Sequence, residues 1–177
     1  MSTATYHLWF KPSGAAYDIL ARTIRELAQQ LNSPVFEPHI SLIGNLDGSE
    51  SEIAERTEEL GQKLDPFTIA LTEPSYHNDH FRCLFMLVEQ KPFIMNANAE
   101  ARDLFHQKSN QAFFPHLSLA YGSCSEAHKK LIIGSLTRDL RTTFEVTTLY
   151  LIRADSLEPK DWHVLTGSDL RWAKRMR

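Results

Sequence analysis

The pentapeptide Pro-His-apolar-Ser-Leu occurs twice in this 177-residue chain, as "PHISL" at Pro38–Leu42 and "PHLSL" at Pro115–Leu119. Sliding the chain along itself by 77 positions also superposes Arg25 on Arg102, Phe36 on Phe113 and Phe67 on Phe144. A constant register over that distance is the mark of a duplicated unit, and duplication restricts the fold to one in which two similar halves pack together.

Apolar periodicity assigns similar elements to the two halves. Thr5–Lys11 alternates, with Tyr6, Leu8 and Phe10 on one face and His7 and Trp9 on the other, as a half-buried strand does. Ala15–Leu31 has helical spacing, His39–Ile43 is a strand, Ser49–Leu64 an amphipathic helix and Phe67–Leu71 a strand. The second half reads as strand Arg82–Glu89, helix Phe93–Lys108, strand His116–Tyr121, helix Glu126–Leu136 and a single strand Thr143–Arg153. A last strand within Asp161–Leu170 has no counterpart. The expectation is an α+β fold of two pseudo-two-fold lobes. Each is an antiparallel sheet with helices on its outer face, and a cleft lies between them. The lobes correspond to repeats at about 5–73 and 81–153, closed by a strand at about 161–169. Only "EPSYHND" separates the repeats, so residues 1–177 are expected to form one compact domain.

In a strand, residues two apart share a face. His39 and Ser41 therefore point one way and Ile40 and Leu42 the other, and the same holds for His116 and Ser118 against Leu117 and Leu119. The apolar pairs anchor the strands, and pseudo-symmetry turns both His-Ser couples into one cleft. Histidine titrates near neutrality, so one imidazole can take a proton while its twin gives one. Hydroxyls beside them can hold the charge that develops on non-bridging oxygens. This set suits in-line displacement at phosphorus without a metal or cofactor. A lone H-x-S in a strand is ordinarily a half-buried histidine with a satisfied partner; the duplication sets this pair apart.

Other features limit the alternatives. A formal charge of -3 argues against broad gripping of long nucleic acid and leaves room for a small anion held locally. The basic tail Arg171–Arg177 is read as a solvated terminus, with phosphate contact as the alternative. "CLFMLV" is too short to span a bilayer. The N-terminus lacks a signal-peptide pattern, and two cysteines, Cys83 and Cys124, allow at most one bridge. A soluble, monomeric, cytoplasmic protein with reduced thiols is expected. His77, His80 and Cys83 are three apart, but zinc normally wants a fourth ligand and strand alternation assigns Cys83 to packing. His7, His106, His128 and His163 carry no spacing signal and are read as surface or packed. No G-x-x-x-x-G-K loop and no G-x-S-x-G elbow occurs.

The paired H-x-S-L motifs, "HLSLAYG" and the closing "TTLYLIRADS…WHVLTGSDL" resemble the two-histidine (2H) phosphoesterases, and most nearly their cyclic phosphodiesterase branch. The resemblance covers nearly the whole chain and implies a bilobal fold with a water-filled cleft. It also implies opening of 2′,3′-cyclic phosphates, either of nucleosides, RNA ends or the ADP-ribose 1″,2″-cyclic phosphate of tRNA splicing. Carried onto this chain, it makes His39 and His116 the acid–base pair and Ser41 and Ser118 phosphate binders. His116 is then the base and His39 the acid, giving a 2′-phosphate. It further implies that Tyr121 contacts phosphate or ribose, and that Trp9 either stacks on a base or fills the lobe junction. Competing readings are 2′-5′ RNA ligase-like end processing and a non-catalytic RNA-end binding module.

Overall fold

The computed structural model describes residues 4–108, 111–136 and 138–171. Eight strands and four helices are found among them: β1 Thr5–Phe10, α1 Gly14–Leu31, β2 Ile40–Leu46, α2 Glu50–Lys63, β3 Phe67–Ser75, β4 Leu84–Val88, α3 Pro92–Leu104, β5 His116–Ala120, α4 Glu126–Ser135, β6 Thr143–Val146, β7 Thr148–Ala154 and β8 Trp162–Asp169. They form an α+β fold with two antiparallel four-stranded sheets, ordered β2-β1-β7-β8 and β5-β4-β3-β6.

Local chemistry sets the helix limits. Ser49 and Glu52 form a capping box that starts α2, Pro92 opens α3, and the Ser125 hydroxyl accepts from His128 N to start α4. The third helix stops at Leu104, short of the Lys108 its apolar spacing suggests. His106 adopts a left-handed backbone with φ 52°, and Gln107 N turns back to Arg102 O. The segment before Leu84 is likewise not strand but a 3₁₀ turn, His80–Arg82, capped by Asp79.

In each half a strand is followed by a helix and an extended return, so that the next strand lies antiparallel to the first: β1 with β2, and β4 with β5. The first helix of each half then packs on the histidine strand of the other, α1 on β5 and α3 on β2. Asn98 Nδ2 donates to Leu42 O at 2.7 Å and Gln107 Nε2 to Gly44 O at 2.7 Å, so side chains of the second half satisfy carbonyls on the open edge of β2.

The two sheets do not coincide with the two sequence repeats. β3, from the first repeat, pairs with β4 and β6, while β7, from the second, pairs with β1. β3 and β7 are thus exchanged between the halves. The expected strand Thr143–Arg153 is two strands, one in each sheet, broken at Thr147. The buried alternation runs on even positions before the break (Phe144, Val146) and restarts on odd ones after it (Leu149, Leu151), where the chain changes sheets; further along, β7 is buried at Ile152 and Ala154 as well. The 77-residue register consequently fails by Phe67 and Phe144, which lie on paired strands of one sheet. A continuous apolar core draws on both sheets and all four helices. No described helix is long and apolar enough to cross a membrane.

Candidate active site

β2 and β5 are the edge strands at which the two sheets approach each other, and each presents its motif to the same space. Ile40, Leu42, Leu117 and Leu119 are buried in the core, at most 1 % exposed. His39, Ser41, His116 and Ser118 line a common cavity of about 390 Å³, joined by Trp9, Tyr121, Phe81, Trp162 and a polar end that includes Thr5, His7 and Asn45. All six residues singled out from sequence therefore share one cavity.

The imidazoles are held alike. His39 Nδ1 is 2.7 Å from Glu37 O, and His116 Nδ1 is 2.9 Å from Phe114 O, each two residues back along the chain. A carbonyl only accepts, so both Nδ1 atoms carry hydrogen. That leaves Nε2 of each ring to face the cavity, without a partner among the described residues. The proline before each histidine holds the preceding residue extended, the geometry in which the i−2 carbonyl can reach back to the ring.

Their environments differ in degree. Desolvation by burial pushes His39 down to about 3; the Glu37 carbonyl opposes this, and His116, His7 and Lys11 push the same way. His116 is also lowered by burial, opposed by the Phe114 carbonyl; Arg82 and His77 lower it further and Asp79 raises it. His116 is the more exposed of the two. Trp9 lies flat on His39, ring centroids 3.6 Å apart, and meets Trp162 edge-on. Its ring is 5 % exposed, so the face against His39 is not offered to a ligand.

The hydroxyls are not equivalent. Ser41 is exposed and makes no side-chain hydrogen bond among the described residues, whereas Ser118 is buried and donates to Phe81 O at 2.8 Å. Tyr121 stacks on Phe36 at 3.8 Å, and its burial raises its hydroxyl well above the ordinary tyrosine range, so it is a neutral hydrogen-bonding group. At the equivalent place in the first repeat, Gly44 has no side chain because a Cβ there would collide with His7 Nδ1.

Sequence reasoning missed the other lining residues, of which His7 and Trp162 bear most directly on His39. The signal for His7 was present, since it shares a strand face with Trp9. Trp162 carried none, because its place follows from long-range pairing of Ala154 with Trp162. His77 lies outside the cavity lining and stacks on Phe114. Among the described residues no group of three His, Cys, Asp or Glu side chains converges as a metal site. Cys83 and Cys124 are both free thiols. Of the basic tail only Arg171 falls within the described residues, and it pairs with Asp65.

Comparison with known proteins agrees with this architecture. The chain is 24 % identical over 125 residues to the cyclic phosphodiesterase of Arabidopsis thaliana, covering 71 % of this chain and 69 % of that protein. E. coli LigT in its apo form superposes with a TM-score of 0.64 at 15 % identity, covering 96 % of this chain and 100 % of LigT. LigT complexed with 3′-AMP superposes with a TM-score of 0.63 at 12 % identity, covering 96 % of this chain and 99 % of LigT. The model of one family, the 2′-5′ RNA ligase superfamily, matches residues 12–158 and so takes in both histidine motifs and every strand but β1 and β8; the chain belongs to that superfamily.

Proposed function

We propose that the protein is a metal-independent cyclic phosphodiesterase that opens 2′,3′-cyclic phosphates to a 2′-phosphomonoester by two-histidine acid–base catalysis. ADP-ribose 1″,2″-cyclic phosphate would correspondingly give the 1″-phosphate. The observation that carries this reading is the matched pair of imidazoles, each with Nδ1 pinned to the carbonyl two residues back and Nε2 opening on one cavity. The Arabidopsis relative's name and the superfamily's description support the same chemistry.

His116, the more exposed, takes a proton from water as its oxygen attacks phosphorus. Burial lowers the proton affinity of His116, and the Phe114 carbonyl and Asp79 work against that lowering. The charge gathering on the non-bridging oxygens is held by Ser41 and by Ser118, whose hydroxyl rotates from the Phe81 carbonyl to the phosphate. His39 protonates the departing 3′ oxygen. Burial makes it a strong acid once protonated, and the indole face of Trp9 together with the substrate's charge favours that imidazolium. Tyr121 offers a neutral hydroxyl to phosphate or ribose.

The superfamily's description favours one further reading on the same site: an RNA 5′-hydroxyl replaces water and a 2′-5′ bond is made or broken at an RNA end. A non-catalytic end-binding module has no use for a matched acid–base pair. We read the protein as monomeric and cytoplasmic, consistent with two free thiols and with no membrane-spanning helix among the described residues.

The test is hydrolysis of a nucleoside 2′,3′-cyclic phosphate in the presence of EDTA, with the product position assigned by phosphorus NMR. His39→Ala and His116→Ala should each reduce the rate about 10²- to 10⁴-fold. Full activity in both variants, or loss of wild-type activity on chelation, would refute the mechanism.

A further inference from the structure

The two histidines are anchored by different means. β4 pairs with β5 through Leu87–His116, so His116 belongs to its ladder, whereas the β1–β2 ladder ends at Phe10–Ile40 and leaves His39 one residue outside. Each ring is tethered to the carbonyl two residues back, Glu37 O or Phe114 O, so the placing of that carbonyl sets the aim of the ring. Phe114 is wedged among rings: His77 and His116 stack on it, and Phe85 meets it edge-on. Glu37, its counterpart in the 77-residue register, is held instead through its carboxylate.

Lys11 follows Phe10 at the end of β1 and brings Nζ to 2.6 Å from Glu37 Oε2, while Tyr17 OH, in the first turn of α1, donates to Glu37 Oε1 at 3.3 Å. Lys11 is itself fixed, its Nζ 4.7 Å from the centre of the Tyr150 ring on β7 and its side chain 14 % exposed. One carboxylate is thus tied to the end of β1 and to the start of α1. The return Ser33–His39 lies outside any helix or strand, and Pro34 and Pro38 have no N–H to anchor it. The clamp continues the β1–β2 alignment past the last ladder pair. Glu37 is 41 % exposed, and an ion pair open to water adds little to global stability, so what this pair contributes is position.

We propose that Lys11 is a positioning residue for His39: with Tyr17 it grips the Glu37 carboxylate, fixes the carbonyl that receives the His39 Nδ1 hydrogen, and so aims Nε2 into the cavity. The kinetic part of this inference rests on the phosphodiesterase reading.

The test compares the full chain as wild type, Lys11→Met, Lys11→Arg and Glu37→Gln. Nitrogen NMR of the imidazoles, above the pH at which they titrate, reads which ring nitrogen carries hydrogen, with His116 as the internal reference. In K11M and E37Q the His39 signals should move from the Nδ1–H form toward the Nε2–H form while those of His116 stay, and K11R should restore them. For adenosine 2′,3′-cyclic phosphate, kcat should fall about tenfold in K11M and E37Q alike, with KM and the urea-unfolding midpoint little changed. The two substitutions shift the local charge in opposite directions, so a purely electrostatic effect on His39 would move kcat in opposite senses. Such opposite changes, His39 signals and kcat left as in wild type, a loss that K11R does not recover, or a loss that tracks a lowered midpoint each overturn the positioning role and leave the phosphodiesterase reading intact. No turnover by wild type refutes the phosphodiesterase reading, and the His39 signals alone then decide whether the clamp holds the ring.

Discussion

Trp9 lies on His39 with ring planes 11° apart, an aromatic face pressed along one side of the imidazole whose Nδ1 is tethered to Glu37 O. One contact fixes the plane of the ring and the other its rotation, so Nε2 has a single direction in which to work. If Trp9 acts by positioning His39, Trp9→Leu should lower kcat by about 10- to 100-fold with little change in KM, the scale expected for a small misplacement of a reacting group. Trp9→Phe, which keeps a stacking face, should recover part of the loss. A stacking platform for a base would show the reverse split, a raised KM at preserved kcat, and steady-state kinetics of the two variants separates the roles.

Two imidazoles whose proton affinity is lowered by burial, facing one cavity, make anion binding a proton-linked event. Burial depresses both histidines, and a bound anion restores their affinity for protons, so the anion must bind more tightly as pH falls. Sulfate is a suitable probe because its own charge is constant over the range. Its affinity should rise between pH 8 and pH 6, and titration calorimetry in buffers of different ionisation enthalpy should register proton uptake. His39→Ala should reduce that uptake, and an affinity independent of pH would contradict the linkage.

Periodicity two and the repeated motif made the chemistry of the site legible: the burial of Ile40, Leu42, Leu117 and Leu119 is what turns His39, Ser41, His116 and Ser118 toward the cavity. The strand exchange was not legible in the same way. Strand pairing is decided by contacts distant in sequence, and β3 has the same alternation whether it joins β1 or β4. The switch of buried parity between Val146 and Leu149 was a local trace of it, because a strand that stays in one sheet keeps its parity. Trp162 left no trace, since a tryptophan on an edge strand reads alike whether it faces solvent or a cavity. His7 was readable from its shared face with Trp9, and only the absence of a second copy of that pattern hid it.

Acid should weaken the fold through the same groups. The folded-state proton affinity of His39, His116 and His7 is lowered chiefly by burial, whereas in the unfolded chain each titrates near 6.5. Between the folded and unfolded values the unfolded state binds more protons. Stability is therefore fully present above about pH 6.5 and declines as pH falls toward the folded values, which for His39 reach about 3. Each histidine contributes a slope of up to about 1.4 kcal/mol per pH unit in that window. His39→Gln should flatten the decline in urea-unfolding free energy measured from pH 6.5 to pH 4.5. An unchanged slope would mean that His39 is already protonated in the native state.

Gly44 and His7 should behave as one unit, because the first repeat places an imidazole where the second places the side chain of Tyr121. A Cβ at Gly44 meets His7 Nδ1, and His7 is itself held on a β1 strand whose opposite face, Tyr6 and Leu8, lies in the core. Gly44→Ala should therefore destabilise by about 1–3 kcal/mol, the usual cost of overpacking a filled site. His7→Ala opens the space that the new methyl group needs. In the double variant the cost of G44A should largely disappear, giving a coupling energy of about 1 kcal/mol or more between residues in direct contact. Chemical denaturation of the four proteins measures that coupling, and strict additivity would show that Gly44 is required for its backbone rather than for the room it leaves His7.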